Sequence, residues 1–332
     1  RGTGMADLES IHYGLLPRHP DWAPFLARLR YVVLDELHAY RGVFGTHVAL
    51  ILRRLLRLAR HYGASPQVLA ASATIANARE HAEALTGLPF EELKAQVART
   101  ERELLVLLPK PLDRRGERRR SPLLEAAYLA RRLAEAGLKG LVFAGARKSA
   151  ELIARYAAHP LVRPYRAGYT ARERRRLEAD LKEGRVRVLV STSALELGVD
   201  IGELDAVVLV GYPGSTAAFW QRAGRAGRGE RRALLVYIPR EDPMDEYFLH
   251  RPALLLESPP EEAVADPQNP VLCPLHLHAA AREKPLLAEE LLCPEARATL
   301  KERNGRFFTP KRNPHREITL RGLGATFTLR GP

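Results

Sequence analysis

The fold is decided by a stretch near the start of the chain, Tyr31-Val32-Val33-Leu34-Asp35-Glu36-Leu37-His38. Its first four residues are apolar and rich in valine, which is typical of a buried strand in a parallel sheet. Two adjacent carboxylates follow where that strand ends, and ligands of open α/β sheets bind at the carboxyl ends of strands. Asp35 is placed to hold Mg²⁺, and Glu36 to orient or deprotonate an attacking water. The alternative is a pair of solvated loop charges.

Strands and helices alternate on both sides of this stretch. A helix is predicted from Val48 to His61, because its apolar residues lie on one side and its arginines largely on the other. A strand at 67–71 and a helix at 77–86 follow, and the alternation restarts after residue 120, with strands at 140–143, 186–190, 206–210 and 233–238. This spacing favours parallel sheets with right-handed crossovers. The sequence therefore predicts an α/β protein with two lobes.

Breaks in this pattern suggest three domains, at 1–110, 111–245 and 246–332. Residues 109–120 carry proline, glycine and five arginines, which predicts a linker; a long surface loop inside one domain is the alternative. Beyond the proline-rich 258–270, helices are expected around His276–Arg282 and Ala288–Arg303. Two short strands at 317–320 and 326–329, joined by a turn with glycine, complete what we expect to be a small winged-helix-like module.

Two further strand ends carry hydroxyl groups. Ser72 and Thr74 follow the second predicted strand and could bridge a carboxylate to another element, although a helix N-cap is the alternative. Thr192 and Ser193 follow another strand, and their hydroxyls could bind a nucleic-acid phosphate. Asp200, in the turn after them, could contact a ribose or an arginine. A capped strand-to-helix loop remains the alternative for this second stretch.

The most specific motif is Gln221-Arg222-Ala223-Gly224-Arg225-Ala226-Gly227-Arg228. Residues three apart lie on one face of a helix, so Arg222, Arg225 and Arg228 are expected to converge. The glycines between them permit close approach of another surface. Arginines arranged in this way bind phosphate and stabilise charge in phosphoryl transfer.

Composition agrees with a polyanionic partner. The 332 residues include 52 Lys and Arg against 39 Asp and Glu, a formal net charge of +13; genome composition or heat adaptation is the alternative source of the arginines. Two cysteines, Cys273 and Cys293, exclude a disulfide framework and a four-cysteine zinc site within the chain. We expect no zinc there or at the nearby His276 and His278. The sequence has no run of about 18 uncharged apolar residues, so no membrane span is predicted. A cytoplasmic protein is therefore expected, nucleoid-associated if bacterial.

Taken together, these motifs resemble those of the superfamily 2 helicases. Asp35-Glu36-Leu37-His38 is similar to motif II in its DExH form, and the remaining matches are 72–74 with motif III, 141–151 with motif IV, 165–169 with the loop before motif V, 192–202 with motif V, and 221–228 with motif VI. Four more stretches, 12–17, 40–45, 194–198 and 266–270, narrow the resemblance. They are similar to the DEAD/DEAH-box repair helicases with a four-cysteine C-terminal domain, the group of the bacterial mitomycin-repair helicase and its fungal RecQ-fourth-type-like relative. The resemblance covers residues 11–330.

The resemblance implies two RecA-like lobes that bind ATP and Mg²⁺ and move along single-stranded or forked DNA. It implies catalytic roles for Asp35, Glu36, His38, Arg225 and Arg228, with Asp35 holding Mg²⁺ through ATP. It also implies ATP binding or coupling by Ser72, Thr74, Asp200, Gln221 and Gly224, and nucleic-acid binding by Arg147, Gly168, Tyr169, Thr192, Ser193 and Arg222. Tyr169 is a candidate for base stacking as well, because it lies on a loop with glycine and basic residues.

Departures from the family pattern bear on activity. The chain has no Gly-x-x-x-x-Gly-Lys-Ser/Thr and indeed no Gly-Lys pair, so the phosphate-binding Walker A loop is missing and the first lobe is expected to be incomplete. The four-cysteine region is missing as well, and Ser193 stands where an asparagine is expected. We therefore expect this chain alone to lack appreciable ATPase activity. The alternatives are a non-catalytic nucleic-acid-binding module derived from a helicase and an RNA helicase.

Overall fold

The chain divides into two compact units, and the first of them is made of two segments that are separated in the sequence. The first unit contains Arg1–Lys94 and Glu262–Pro332, and the second contains Ala95–Glu261. The computed structural model describes residues 3–72, 75–94, 102–113, 118–195, 201–227, 232–320 and 326–330. This division differs from the predicted boundaries after residues 110 and 245, because the chain returns to the first unit at Glu262.

The first unit is built on a sheet and one long helix. Its first elements are β1 (Thr3–Asp7), α1 (Ala23–Leu26), β2 (Tyr31–Leu34), α2 (Gly42–His61), β3 (Gln67–Ala70) and α3 (Ala78–Thr86), with single helical turns at Ser10–Leu15, Leu16–Arg18 and Leu37–Ala39. As predicted, β2 and β3 pair in parallel. α2 begins at Gly42 rather than Val48. The first turns of α2 lack a clear helical repeat of apolar residues, because Gly42 and Gly45 stand among them. Glycine is needed at Gly45, where a Cβ would lie only 2.1 Å from the Tyr40 carbonyl oxygen.

The second unit is an α/β lobe with a wholly parallel sheet. Its elements are β4 (Arg102–Val106), α4 (Pro122–Glu135), β5 (Gly140–Phe143), α5 (Arg147–Ala157), β6 (Val162–Tyr165), α6 (Ala171–Lys182), β7 (Val188–Ser191), β8 (Ala206–Val210), α7 (Thr216–Ala223), β9 (Ala233–Ile238), α8 (Pro243–His250) and α9 (Ala253–Glu257). The strand order is β4-β9-β8-β5-β7-β6. Every residue of β5, β7 and β8 is buried, so helices cover both faces of the sheet. The expected α/β class is thus confirmed.

The segment predicted to be a linker lies inside this second unit. Pro111 and Arg119 form an isolated antiparallel bridge, and the Arg119 guanidinium donates to the Pro109 carbonyl at 3.1 Å. The alternative, a surface loop within one domain, better describes residues 109–113 and 118–120, which are the part of this segment that the structure describes.

The returning segment does not form the expected winged helix. It contains α10 (Leu272–Glu283), α11 (Pro294–Thr299), the hairpin β10 (Lys301–Arg303) with β11 (Arg306–Phe308), a helical turn at Pro314–Glu317, and β12 (Thr326–Arg330). The second predicted helix ends at Thr299, because Asn304 and Gly305, with φ of 52° and 68°, form the hairpin turn instead. The predicted pairing of 317–320 with 326–329 is wrong. Instead, β12 pairs antiparallel with β2 and β1, since residues 314–317 are helical.

A buried polar cluster holds the returning segment on α2. The Arg54 guanidinium forms a salt bridge with the Glu283 carboxylate, whose side chain is 0% exposed. The same guanidinium donates to Nδ1 of His12 at 2.9 Å and of His276 at 3.2 Å, and the His315 imidazole donates to Glu283 at 2.9 Å. We call these five residues the Arg54 cluster. Because the carboxylate neutralises the guanidinium, the buried charge is paired.

The remaining residues considered for zinc lie on α10, which carries Cys273 and His278, and at Cys293, directly before α11. Cys273 and Cys293 are free and buried, and burial raises the pKa of the Cys273 thiol. His278 bonds to the hydroxyls of Thr309 and Thr299, at 2.8 and 3.0 Å. Among the described residues there is no group of three or more His, Cys, Asp or Glu side chains that could hold a metal ion. Within the same ranges, no helix has the length and apolarity needed to cross a membrane.

Candidate functional site

In the first unit, the carboxylate pair lies on a tight turn at the carboxyl end of β2. Asp35 is exposed, and its Oδ1 accepts the Glu36 N–H at 2.9 Å. Glu36 adopts the left-handed conformation, with φ 52° and ψ 48°, which costs a residue with a side chain about 1–2 kcal/mol. The Tyr40 hydroxyl donates to the Asp35 carbonyl at 2.7 Å, and the Leu37 N–H donates to the Ala71 carbonyl at 2.9 Å. These bonds hold the strained turn in one shape.

The same turn brings the other predicted first-unit residues together. The bond from Leu37 reaches the residue directly before Ser72, which is exposed at the end of β3. His38 is only 8% exposed, and its Nδ1 lies 3.6 Å from Glu36 Oε2. Asp35, Glu36, His38 and Ser72 therefore share one edge of the sheet. Thr74 lies outside the described residues.

Two titratable groups beneath this turn were missed from the sequence. Burial, then the Asp35 and Glu36 carboxylates, raise the pKa of Tyr40 to about 12, so its hydroxyl stays protonated as a donor. His81 on α3 is 1% exposed, and burial lowers its pKa. The only signal in the sequence was its position beside Ala82 and Leu85 on the inner side of a predicted helix.

In the second unit, most predicted nucleic-acid contacts follow three neighbouring strands. Arg147 is exposed after β5, Gly168 and Tyr169 follow β6, and Thr192 and Ser193 follow β7. Because β5, β7 and β6 are adjacent and parallel, their carboxyl ends lie at one edge of the sheet. We call these five residues the strand-end set.

Tyr169 has a fixed position within the strand-end set. The guanidinium carbon of Arg166 lies 4.9 Å from the centroid of its ring, a cation–π distance. The Tyr169 N–H also donates to the Arg166 carbonyl at 3.1 Å. A flat aromatic ring beside a cation suits base stacking next to a phosphate. Asp200, predicted nearby, lies outside the described residues.

The arginine motif is only partly helical. α7 ends at Ala223, with Gly224 as its C-cap, and in the turn that follows the Arg225 N–H donates to the Arg222 carbonyl at 3.1 Å. The convergence of the three arginines stays a prediction. Glycine suits this turn because a Cβ at Gly224 would lie 3.0 Å from the Trp220 carbonyl oxygen.

The two described arginines of the motif differ in exposure. Arg222 is half-buried, and its guanidinium carbon lies 5.4 Å from the centroid of the Phe143 ring at the end of β5. Arg225 is 5% exposed. Gln221, the first residue of the motif, is half-buried on α7. Arg228 lies outside the described residues.

Sequence reasoning also missed an arginine–carboxylate group after β9. The Arg240 guanidinium lies 2.9 Å from an Asp242 oxygen and 3.5 Å from an Asp245 oxygen. A Cβ on Gly211 would lie 2.0 Å from Arg240 Nε, so this glycine, at the end of β8, lets the arginine cross the strand ends.

Asp245 is the fully buried member of this group. Its Oδ1 accepts the Tyr212 N–H at 2.7 Å and the Tyr237 hydroxyl. Burial raises the pKa of Asp245. The only signal in the sequence was an Arg-Glu-Asp-Pro run directly after a predicted strand.

Comparisons with known proteins agree with this geometry. The DEAD/DEAH box helicase model matches residues 6–104, and the helicase conserved C-terminal domain matches 124–230. The chain is 40% identical over 291 residues to the uncharacterized ATP-dependent helicase YprA of Bacillus subtilis, covering 85% of this chain and 39% of that protein. It is 34% identical over 294 residues to the ATP-dependent helicase hrq1 of Schizosaccharomyces pombe, covering 84% of this chain and 28% of that protein.

A solved structure matches both units. The crystal structure of the DUF1998 helicase MrfA bound to DNA aligns with a TM-score of 0.86 at 36% identity, over 95% of this chain and 45% of that one. The chain thus spans less than half the length of each of these relatives. The first helicase model lies mostly on the first unit and the second lies within the second unit, in the order that the motifs predict. The chain belongs to the superfamily 2 helicases.

Proposed function

We propose that this chain carries nucleotide-facing and DNA-facing parts of an ATP-dependent DNA helicase. The observation that carries the proposal is the strained Asp35-Glu36 turn, bonded through Leu37 to the end of the neighbouring strand. A carboxylate pair that was merely solvated would not need a left-handed residue fixed by two outside hydrogen bonds. The relatives named as ATP-dependent helicases support the same function.

The first-unit residues suit Mg²⁺ bound together with a nucleotide. Mg²⁺ in phosphoryl-transfer sites takes one or two carboxylates, with phosphate and water completing its shell. Asp35 offers an exposed carboxylate of this kind, and the described residues hold no larger ligand group. Asp35 would hold the ion, which supplies charge stabilisation at the phosphates. Glu36 would orient the attacking water and accept its proton, with His38 fixing the Glu36 carboxylate.

The arginine motif would meet the charge that develops on the transferred phosphoryl group. Arg225 and Arg228 are proposed as the arginine fingers, and Gln221 and Gly224 as part of the same nucleotide-responsive segment. The 5% exposure of Arg225 supports the proposal, because a guanidinium held in a low-dielectric setting stabilises charge more strongly than one in water. Thr74 and Ser72 would couple this chemistry to nucleic acid, and Asp200 would act beside the arginines.

The strand-end set, together with Arg222, would contact single-stranded or forked DNA. Arg147 would pair with phosphates, Gly168 would allow the backbone to approach, and Tyr169 would stack on a base. Thr192 and Ser193 would donate to phosphate oxygens. Such contacts give affinity with little sequence preference and a strong dependence on salt.

The experiment measures DNA binding and ATPase separately. For the 332-residue chain, anisotropy with a labelled oligo(dT) should show at least a tenfold loss of affinity between about 50 and 200 mM salt, and a competing oligo(rU) should bind more weakly. An affinity that salt leaves unchanged, or a preference for the RNA, contradicts the DNA assignment. ATPase is measured on this chain and on the full open reading frame that contains it. Turnover by the 332-residue chain should not exceed that of its Glu36→Gln variant, whereas the full product should show DNA-stimulated turnover that Glu36→Gln abolishes. A full product without such turnover contradicts the ATPase assignment.

A further inference from the structure

The N-terminus of the arginine helix α7 is capped from outside the motif. The Thr216 N–H donates to Glu261 Oε1 at 2.5 Å, and the Ala217 N–H donates to Glu261 Oε2 at 2.9 Å. The next N–H, of Ala218, donates to the Ser215 hydroxyl at 3.1 Å. The first turn of a helix has N–H groups without partners inside the helix, together with a partial positive charge. A single carboxylate here meets two of those groups and the charge at once.

The backbone that leads into Glu261 has few accessible conformations. Pro259 and Pro260 precede it and restrict the backbone. Because these prolines already limit the backbone conformations before Glu261, less backbone entropy is lost when its carboxylate caps the helix.

A small tilt of α7 at this cap would displace the arginine at its other end. At 1.5 Å per residue, Arg222 lies about 9 Å along the helix from Thr216, so a tilt of about 10° moves Arg222 by about 1.5 Å. Displacements of about 1 Å in a catalytic site can reduce the rate about 100-fold. We propose that Glu261 is a positioning residue that sets the direction of α7 and thereby the places of Arg222 and Arg225. This inference rests on the proposed function, which assigns Arg225 to the ATPase reaction and Arg222, on α7, to DNA binding.

The first test follows amide hydrogen exchange in the 332-residue chain. Glu261→Gln should speed exchange at Thr216 and Ala217 at least about tenfold, because the charged acceptor is lost. Glu261→Asp keeps the charge and should fall between. Glu262→Gln is the matched control, since Glu262 is exposed and differs by one position, and it should leave these amides unchanged. Equal exchange in Glu261→Gln and Glu262→Gln overturns the inference.

The second test measures the steady-state ATPase activity of the protein encoded by the full open reading frame. Glu261→Gln should lower kcat at least about tenfold with KM for ATP within about twofold, because arginine fingers act mainly in the transition state. Glu261→Asp should recover part of kcat. Faster amide exchange with kcat equal to that of Glu262→Gln would make the cap structural only and would overturn the positioning role. A wild-type product without DNA-stimulated ATPase would instead refute the proposed function, and the catalytic role of Glu261 would fall with it, while the exchange data would still report on the cap.

Discussion

Neutral histidines in the Arg54 cluster predict that the first unit loses stability in mild acid. His12 is fully buried, with Nε2 against the His315 carbonyl at 3.0 Å and Nδ1 against the Arg54 guanidinium. A backbone carbonyl requires a proton on Nε2, and a guanidinium requires Nδ1 to accept, so the ring is neutral. Burial, then the charge of Arg54, lower the pKa of His12 to about 3 and hold that of His276 well below its usual range.

The sign follows from proton counts in the two states. Below pH 6.5 these imidazoles are protonated in the unfolded chain but not in the folded chain. The free energy of unfolding therefore decreases as the pH is lowered, until the pH reaches the pKa in the folded state. For one histidine moved from 6.5 to about 3, lowering the pH from 7 to 5 removes about 2 kcal/mol. His276, whose pKa burial also lowers, changes the stability in the same direction. A loss of about 2 kcal/mol is already a large part of the stability of a small domain.

The assay uses the two tryptophans, since one lies in each unit. In a Trp220→Phe background, guanidinium unfolding followed by Trp22 fluorescence reports on the first unit. His12→Asn keeps an acceptor near Arg54 but cannot titrate, so its loss between pH 7 and 5 should be about 2 kcal/mol smaller than that of the parent. His250→Asn, at a histidine whose side chain is 79% exposed, should match the parent. Equal losses in His12→Asn and the parent would show that His12 is protonated in the fold and would refute the reasoning.

The other predictions concern the second unit. Gly211→Ala and Gly214→Ala both place a side chain at positive φ, 81° and 96°. A Cβ at Gly211 would collide with Arg240, whereas a Cβ at Gly214 would have nothing within 4 Å. Gly211→Ala should therefore lower the free energy of unfolding by about 1–3 kcal/mol more than Gly214→Ala. Chemical unfolding followed by the tryptophan of that unit measures the difference, and equal losses would mean that Arg240 moves aside freely. Tyr169→Ala should weaken oligo(dT) binding by about 1–3 kcal/mol in anisotropy titrations. Tyr156→Ala is its control, because Tyr156 also lies near an arginine, at 5.8 Å, but at the far end of α5; the same loss in both variants would remove Tyr169 from the binding site.

Buried strands and the residues directly after them were predictable from the sequence. A run such as Val188–Ser191 is short, rich in valine and buried at every residue, which is typical of a covered strand in a parallel sheet. Carboxyl ends of neighbouring strands meet at one edge, so Arg147 and Thr192, which follow predicted strands, could be grouped before any coordinates were known. Tyr169 follows β6, a strand that the sequence pattern did not predict, and it was assigned from the family resemblance. The rule needs only the local pattern and the parallel direction.

Contacts between distant parts of the chain were not predictable in this way. Arg54 reads as one more arginine on the polar side of α2, yet it is 4% exposed because Glu283, far along the chain, neutralises it. The strand at 326–330 shows its own pattern but not its partner, and it pairs with β2 rather than with its neighbour in sequence. Pairing of this kind depends on which edge is available, and periodicity carries no information about that.

The hydrogen bonds that shape the two sites come from residues outside their motifs. Leu37 is fixed by Ala71, which precedes Ser72, and the helix that carries Arg222 is fixed by Glu261, from a proline-rich stretch with no motif. Motif residues determine which chemistry is possible, but the strain at Glu36 and the direction of α7 are maintained by these outside groups. A protein that kept every motif and lost such groups would still match the family models, while its carboxylates and arginines would no longer be held for reaction. Residues between the motifs are therefore the better place to look for differences in activity among helicases with identical motifs.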